Sequence, residues 1–236
     1  MSTADTLVLA WHGTRNPAGH AVIASITDRV RTLLPGVTVH TAWVDAQTAG
    51  GAHDRHRVLP EALAAAGDCT LVPCFLAEGY HVTHDIPEAV AASPYTVQVA
   101  PHLDGVADGA LVERVTEAGG PGDALVLAVV GSRRLRAQAE VARVASRLGR
   151  HFGVSAYVGD LFGSPSVTDQ VEAARAAGAS DVVVVPYTLA PGLWMNRVAG
   201  LGVRIAEPLG QHASIATAIA ARHRAFLSLP AANLGR

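Results

Sequence analysis

Short apolar runs alternate with amphipathic segments along the whole chain. The run at residues 7–11 predicts a buried β-strand, and the segment at residues 17–34 predicts an amphipathic helix that Pro35 and Gly36 end. The apolar residues of this helix recur on one stripe: Val22, Ile26, Val30 and Leu33. Uninterrupted valine runs such as residues 182–185 predict strands that helices cover on both faces. The pattern is typical of a parallel α/β structure.

The same alternation predicts the remaining elements. In the first half, which has the order βαβαβαβ, strands and helices alternate at residues 37–44, 58–67, 69–76, 86–93 and 95–100. In the second half, the alternation predicts elements at residues 125–130, 135–152, 154–161, 167–178, 181–189 and 203–209, then a final helix through Ile219.

The two halves of the chain are similar to each other. TLVLAWHGTR at residues 6–15 aligns with ALVLAVVGSR at residues 124–133. Further on, LVPCFLAEGYH at residues 71–81 aligns with VVPYTLAPGLW at residues 184–194. Because the matches occur in the same order, they indicate a duplicated structural unit rather than one continuous domain.

We therefore predict an α/β fold with two homologous lobes, each a parallel sheet flanked by helices, and a cleft between the lobes. The N-terminal lobe is expected at residues 1–118 and the C-terminal lobe at residues 124–236, with the Gly- and Pro-containing segment at residues 119–123 as the linker. In open parallel sheets, ligands bind at the carboxyl ends of the strands. Candidate functional residues should therefore follow the strands directly.

Composition excludes several function classes. Half of the 236 residues are hydrophobic, and 18 basic residues face 20 acidic ones, so no global field favours nucleic acid or an anionic membrane. The N-terminus lacks the basic residues of a signal peptide, and two prolines interrupt the longest apolar stretch, residues 182–195. We expect a cytoplasmic protein. Cys69 and Cys74 match no metal or redox spacing and are expected to be buried free thiols.

Two histidines and a carboxylate follow strands of the first half. His12 follows the first strand, Asp45 follows the second, and His81 follows the third, which is the strand at residues 69–76. His84 lies three residues after His81 in the same loop. Neutral imidazole with an oxygen donor suits Fe, Co, Ni or Zn, and histidine can accept a proton near neutral pH. The residues alone leave two interpretations open, a metal site and ordinary hydrogen-bonded loop histidines.

AWHGTR at residues 10–15 and GYHVTHDIP at residues 79–87 together resemble the class II tetrapyrrole chelatases, specifically the sirohydrochlorin cobalt and iron chelatases. The resemblance covers nearly the whole chain, including the duplication. It implies that His12 and His81 bind the metal and that Asp45 takes the place of the family's acidic partner, which is usually a glutamate. The chain departs from the family pattern at Trp11, where glycine is usual, and at Thr14, which replaces serine.

The resemblance implies a lyase that inserts Fe²⁺ or Co²⁺ into sirohydrochlorin, in siroheme or cobalamin biosynthesis, without an organic cofactor. His12 and His81 would serve as metal ligands and proton acceptors, with Asp45 balancing charge. His84 is expected to orient a ligand, and Asp85 to cap the helix that follows it. The absence of a long histidine-rich tract favours iron over cobalt. We expect a monomer with two lobes.

The implied substrate carries many carboxylates, so the cleft should offer local positive charge. Four arginines lie at strand ends: Arg15, Arg133, Arg134 and Arg136. The alternative is that the last three are a solvated helix start, although arginine there opposes the helix dipole. In the second half Val130 matches His12 and Trp194 matches His81, so we expect one catalytic set per chain. Trp194 is expected either to pack on the macrocycle or to lie in the core.

Two other functions remain open. One is a carrier of metal or tetrapyrrole without turnover, and the other is a ferrochelatase for a porphyrin with fewer carboxylates. His53 and His56 lie in a Gly-rich loop that could collect metal or be simply solvated. The other histidines show no convergent partners and are left out of the site: His20, His40, His102, His151, His212 and His223.

Overall fold

The first half of the chain forms a parallel β-sheet. The computed structural model describes residues 6–45, 57–192 and 195–227. Within these, the strands are β1 (Thr6–Trp11), β2 (Thr38–Trp43), β3 (Arg57–Val58), β4 (Cys69–Pro73) and β5 (Val97–Val99). Their order in the described sheet is β3-β2-β1-β4-β5, and every neighbouring pair is parallel. The helices are α1 (Pro17–Leu33), α2 (Leu59–Ala66), α3 (Ile86–Ala91) and α4 (Asp108–Glu117).

The second half repeats this arrangement. Its described strands are β6 (Ala124–Val129), β7 (Ser155–Asp160), β8 (Val182–Pro186) and β9 (Arg204–Ile205), in the parallel order β7-β6-β8-β9. Its described helices are α5 (Leu135–Phe152), α6 (Val167–Ala176), α7 (Met195–Val198) and α8 (Ala213–Leu227). Since β6 is flanked by β7 and β8 as β1 is flanked by β2 and β4, the predicted fold class of two similar parallel-sheet lobes is confirmed.

Side chains alternate between the two faces of each central strand, as a pleated strand requires. Leu7 and Leu9 of β1 join Leu125 and Leu127 of β6 in one hydrophobic core that both halves share. The intervening residues of β1 face a separate core with α2, and those of β6 face one with α6. The lobes are therefore packed against each other through a common apolar layer.

Two helices pack on the half of the chain to which they do not belong. The helix α4, which ends the first half, packs against α5 and β8. The helix α8, which ends the second half, packs against α1 and β4. Among the described helices, none combines the length and the apolar character needed to cross a membrane.

The predicted linker is held tightly in place. Gly119, Gly120 and Gly122 have positive φ angles of 93°, 92° and 62°, which glycine adopts without steric cost. The guanidinium of Arg204 donates to the carbonyls of residues 118 and 120 at 2.7 and 3.0 Å. The carboxylate of Asp123 accepts hydrogen bonds from the backbone of residues 180 and 181, both at 2.9 Å. These contacts fix the chain where one half passes into the other.

Several predicted elements differ from the structure. The helix α4 was not predicted, and it begins without a side-chain cap that would have marked it. The expected strand at residues 203–209 is reduced to the two residues of β9. Leu135, the first residue of the helix predicted at residues 135–152, is 81% exposed in the first turn of α5. Cys69 and Cys74 are buried free thiols, as predicted, and burial raises the pKa of Cys69 to about 11.

The buried histidine of α8 should make the protein sensitive to acid. His223 is fully buried, and neither ring nitrogen has a hydrogen-bond partner within the described residues. Burial disfavours the imidazolium form and lowers the pKa of His223 below its ordinary value of 6.5. As the pH falls below about 6.5, the unfolded chain therefore takes up a proton that the folded chain resists, and stability falls.

We expect His223→Leu to reduce the loss of unfolding free energy between pH 7 and pH 5, by about 1.4 kcal/mol for each unit by which folding lowers this pKa. Urea unfolding of both proteins at the two pH values measures the difference. The control is His151→Gln, because His151 is exposed on α5. Equal pH dependence in the wild type and His223→Leu would show that another group controls acid sensitivity.

Candidate metal centre

His12 is the first residue after β1 and begins the loop that leads to α1. Gly13 has a φ of 99°, which allows the sharp turn after the strand. The hydroxyl of Thr14 accepts the backbone N–H of Asn16 at 3.0 Å, and a Cβ on Gly19 would lie 2.8 Å from the Thr14 methyl group. The loop is therefore packed closely on α1, while the His12 side chain is exposed.

The ring of His12 has a defined hydrogen-bonding partner. Its Nδ1 lies 3.2 Å from the carbonyl oxygen of Gly13. Since a carbonyl oxygen can only accept, this contact requires the proton on Nδ1 in the neutral ring. The lone pair of that tautomer lies on Nε2, which is the nitrogen that a metal ion would use.

His81 begins a π-helical turn, His81–Asp85, that continues directly into α3. Its Nδ1 lies 2.5 Å from Oδ2 of Asp85, four residues later in the turn. The carboxylate accepts the Nδ1 proton, so the lone pair of the neutral His81 ring also lies on Nε2. A carboxylate behind a histidine fixes the ring and increases its basicity as a ligand.

The prediction that Asp85 caps α3 is wrong, because a π-helical turn leads directly into this helix. Asp85 has helical angles of φ −65° and ψ −41° and makes no side-chain cap hydrogen bond. Because the turn already supplies preceding helical residues, the N–H groups of α3 do not form a free helix end. His84, which was expected to orient a ligand, instead stacks on Tyr80 with ring centroids 4.5 Å apart and contacts Thr83. The residue that contacts and orients His81 is Asp85.

The structure brings His12 and His81 together. Their ring centroids are 4.8 Å apart and the rings are nearly perpendicular, with an interplanar angle of 87°. They meet because β1 and β4 are parallel neighbours, so the loops after both strands emerge at the same edge of the sheet. The ring centroid of Phe75 lies 5.8 Å from that of His81. The arrangement therefore brings two imidazole rings into contact at this edge of the sheet.

The main chain of Asp45 is hydrogen-bonded to the main chain of His12. The backbone N–H of Asp45 donates to the carbonyl oxygen of His12 at 3.2 Å, and its side chain is half-buried. Across residues 6–45, 57–192 and 195–227, no group of three or more His, Cys, Asp or Glu side chains is placed to hold a metal. The structure therefore pairs the two histidines without gathering the carboxylate of Asp45 as a third ligand.

The predicted arginines lie at the expected strand ends. Arg15, Arg133 and Arg134 are exposed, and Arg134 is the N-cap residue of α5 without a capping side-chain bond. Arg136 is also largely exposed, but its Nε lies 2.9 Å from Oε2 of Glu78. The guanidinium of Arg136 thus already has a carboxylate partner within the protein.

The second half has no histidine at the position equivalent to His12. Val130 follows β6 there and is 57% exposed. Trp194, which was expected either to pack on the macrocycle or to lie in the core, is outside the described residues, as are His53 and His56.

An exposed aromatic residue lies at a strand end of the second half. Phe162, which comes two residues after β7 ends, is 56% exposed, and the guanidinium of Arg197 lies 4.8 Å from its ring centroid. Leu135, at the start of α5, is exposed as well. Phenylalanine in a loop gives no periodic pattern, so its position could be found only from the predicted strand end before it.

The carboxyl edges of the two sheets are joined directly. The side-chain amide of Asn16, in the loop after β1, donates to the carbonyl oxygen of Pro191, in the segment after β8, at 3.3 Å. The backbone N–H of Glu78, in the loop after β4, donates to Oε2 of Glu140 in α5 at 2.8 Å. The histidine pair and the exposed arginines therefore lie on elements that meet between the lobes.

Comparison with known proteins identifies relatives of this architecture. The family model described as CbiX matches the chain twice, at residues 6–118 and 124–225. A search of curated protein sequences finds no match.

Solved structures share the fold. The structure described as SirB from Bacillus subtilis with Fe3+ is similar with a TM-score of 0.76 at 19% identity, covering 97% of this chain and 96% of that one. The sirohydrochlorin chelatase SirB from Bacillus subtilis subspecies spizizenii in complex with cobalt also gives a TM-score of 0.76, at 17% identity and with coverage of 99% and 98%. CbiX, described as the terminal enzyme for biosynthesis of siroheme in denitrifying bacteria, gives 0.65 at 22% identity, with coverage of 96% and 100%.

Proposed function

Because the chain belongs to the CbiX family, we propose that it is a sirohydrochlorin chelatase that inserts a divalent metal ion, Fe²⁺ or Co²⁺, into the macrocycle. The observation that carries this proposal is the pairing of His12 and His81, with ring centroids 4.8 Å apart at the edge where β1 and β4 end. The solved structures of similar fold support it, since they include a sirohydrochlorin chelatase with cobalt.

Two imidazole ligands suit an ion that must be passed on. In this proposal Nε2 of His12 and of His81 bind the ion, and water or the pyrrole nitrogens occupy the remaining coordination positions. Asp45 balances the charge of the ion from the neighbouring strand end. Fewer protein ligands hold the ion more loosely, which favours its transfer to the four nitrogens of the macrocycle.

Insertion also releases two protons, because one divalent ion replaces two pyrrole N–H protons. The histidines accept these protons once the ion has left them. For His81 the carboxylate of Asp85, at 2.5 Å from Nδ1, stabilises the positive charge that protonation of Nε2 creates. The same contact therefore serves His81 as a ligand and as a base.

The macrocycle would lie between the lobes, with its carboxylates near the exposed arginines. Arg15, Arg133 and Arg134 supply positive charge at the meeting edges of the sheets. The exposed apolar side chains Val130, Leu135 and Phe162 supply a surface for a flat ring on the side of the second lobe. Trp194 would make a further contact with the ring.

We expect the protein to accelerate insertion of Fe²⁺ or Co²⁺ into sirohydrochlorin above the spontaneous rate. The assay is anaerobic and follows the change in visible absorption of the macrocycle. Cobalt can insert unaided, so the rate is compared with that of His81→Ala at the same protein concentration. If the wild type binds the substrate but inserts the metal no faster than His81→Ala, the protein is a carrier instead. Running both ions in parallel ranks them as substrates.

A further inference from the structure

The loop that leads to His81 is held by the opposite half of the chain. This loop runs from the end of β4 to the π-helical turn. The hydroxyl of Tyr187, in the segment after β8, donates to the carbonyl oxygen of Leu76 at 3.2 Å. Oε2 of Glu140 accepts the backbone N–H of Glu78 at 2.8 Å, and Nε of Arg136 lies 2.9 Å from the Glu78 carboxylate. Three contacts from the second half thus fix residues 76–78.

The position of Glu140 is unusual for a charged residue. It lies on the buried face of α5 with Ala137, Val141 and Val144, and it is only 2% exposed. Burying a carboxylate costs free energy unless hydrogen bonds and opposite charges compensate it. An apolar side chain would fill this face of the helix at lower cost, so packing alone gives no reason for a glutamate here.

Arg136 and the backbone N–H of Glu78 compensate the charge of Glu140 and direct its carboxylate at the loop. Arg136, one helical turn earlier, has its Nε 3.6 Å from Oε1 of Glu140. Nε2 of His102 lies 3.4 Å from Oε2 but makes no hydrogen bond within the described residues. The loop N–H of Glu78 is the closest of these partners, at 2.8 Å. The carboxylate is therefore placed to hold the loop rather than to face solvent.

Tyr187 makes the second contact under all ordinary conditions. Its side chain is buried, and burial together with the nearby carboxylates of Asp104 and Asp108 raises the pKa of Tyr187 above its usual value of 10. The hydroxyl therefore keeps its proton and remains a donor to Leu76. Tyr187 aligns with Cys74 in the internal repeat, so the second half carries a hydrogen-bonding residue where the first half carries a thiol.

We propose that Glu140, assisted by Tyr187 and Arg136, is a positioning residue that sets the location of His81 by holding residues 76–78 of its loop. The second lobe, which has no histidine matching His12, thereby acts on the metal centre of the first lobe through the main chain. Glu78 is three residues from His81, so a shift of this segment moves the imidazole relative to His12. The inference rests on the proposed function for its kinetic readout alone.

The test compares Glu140→Ala with Glu140→Gln. Glutamine keeps an oxygen that can accept the N–H of Glu78, whereas alanine leaves that N–H without its partner. We expect Glu140→Ala to lower kcat for metal insertion by roughly 10- to 100-fold with little change in the KM for sirohydrochlorin, because the reacting groups are misplaced. Glu140→Gln should keep a kcat much closer to that of the wild type. Tyr187→Phe, which removes only the hydroxyl, should lower kcat in the same direction.

A second readout needs no turnover. Hydrogen exchange of the peptide containing residues 76–81 should be faster in Glu140→Ala than in wild type, and intermediate in Glu140→Gln. The matched control is Arg150→Gln, which removes an exposed guanidinium near the C-terminal end of α5, where it donates to the hydroxyl of Ser146. It should leave both the exchange of the loop and kcat close to wild type.

The outcomes separate the two proposals. An inactive wild type whose loop still exchanges faster on loss of Glu140 would refute the chelatase function and support the positioning role. Equal kcat in wild type and Glu140→Ala, or unchanged exchange of the loop, would overturn the positioning role. A rise in KM alone would assign Glu140 to substrate binding and would also overturn it. If Glu140→Ala does not fold, Tyr187→Phe and Glu140→Gln decide by the same measurements.

Discussion

His12→Ala and His81→Ala are each expected to reduce metal insertion to the spontaneous rate. Each substitution removes one of the two imidazoles that meet at 4.8 Å and leaves a single protein ligand for the ion. Even the outer partners of metal ligands typically contribute roughly 10- to 100-fold to affinity or activity, so loss of a ligand should cost at least that much. The anaerobic absorption assay measures the rate, and Co²⁺ binding by titration measures affinity.

The control for this prediction is His84→Ala. His84 lies in the same π-helical turn but stacks on Tyr80, so its loss should have a milder effect. Circular dichroism and thermal unfolding should show that all three variants keep the fold, because the side chains lie in loops and turns outside the core. Equal losses in the three variants, or full activity in His12→Ala, would contradict the assignment of His12 and His81 as the ligand pair.

Sirohydrochlorin is expected to be a much better substrate than protoporphyrin. The preference follows from the exposed guanidinium groups of Arg15, Arg133 and Arg134, which can pair with the larger number of carboxylates on sirohydrochlorin. A hydrogen bond to a charged group contributes about 1.5–3 kcal/mol, so each lost contact should lower kcat/KM by roughly 10-fold or more. The double variant Arg133→Gln/Arg134→Gln should therefore lose most of the preference.

Rates for both macrocycles, measured with the same ion and at two salt concentrations, check this prediction. Added salt should weaken the preference because these side chains are solvent-exposed. Arg150→Gln is the control, since Arg150 is exposed near the opposite end of α5. A preference for protoporphyrin would exclude sirohydrochlorin as the substrate while leaving a chelatase for another porphyrin as the function.

The parts of the structure that depend on local periodicity could be predicted from the sequence. The helix α1 agrees with its prediction to within one residue because Asn16 caps it, Pro17 begins it and its apolar residues recur at helical spacing. The strands β4 and β8 are fully buried apolar runs and were found for the same reason. The repeat of LVLA located both central strands.

The parts that depend on contacts between distant residues could not be predicted in this way. The partner of His81 is Asp85 because a π-helical turn places them together, and the sequence of that turn is equally compatible with a capped α-helix. Glu140 appears in the sequence as a polar residue among alanines and valines, and only the docking of α5 against the loop of Glu78 gives it a role. Pattern thus predicts elements, whereas the site depends on how the elements pack.

The packing of α4 and α8 on opposite halves has a consequence for how such a chain could have arisen. Each half contributes its last helix to the other half, which is the arrangement of a domain-swapped dimer within one polypeptide. A chain with a single lobe and the same order of elements would leave the site of its last helix uncovered, and a second copy could cover it by reciprocal exchange. Fusion of two such copies would retain the exchanged helices. It would then allow one copy to lose its histidines and become the support for the other.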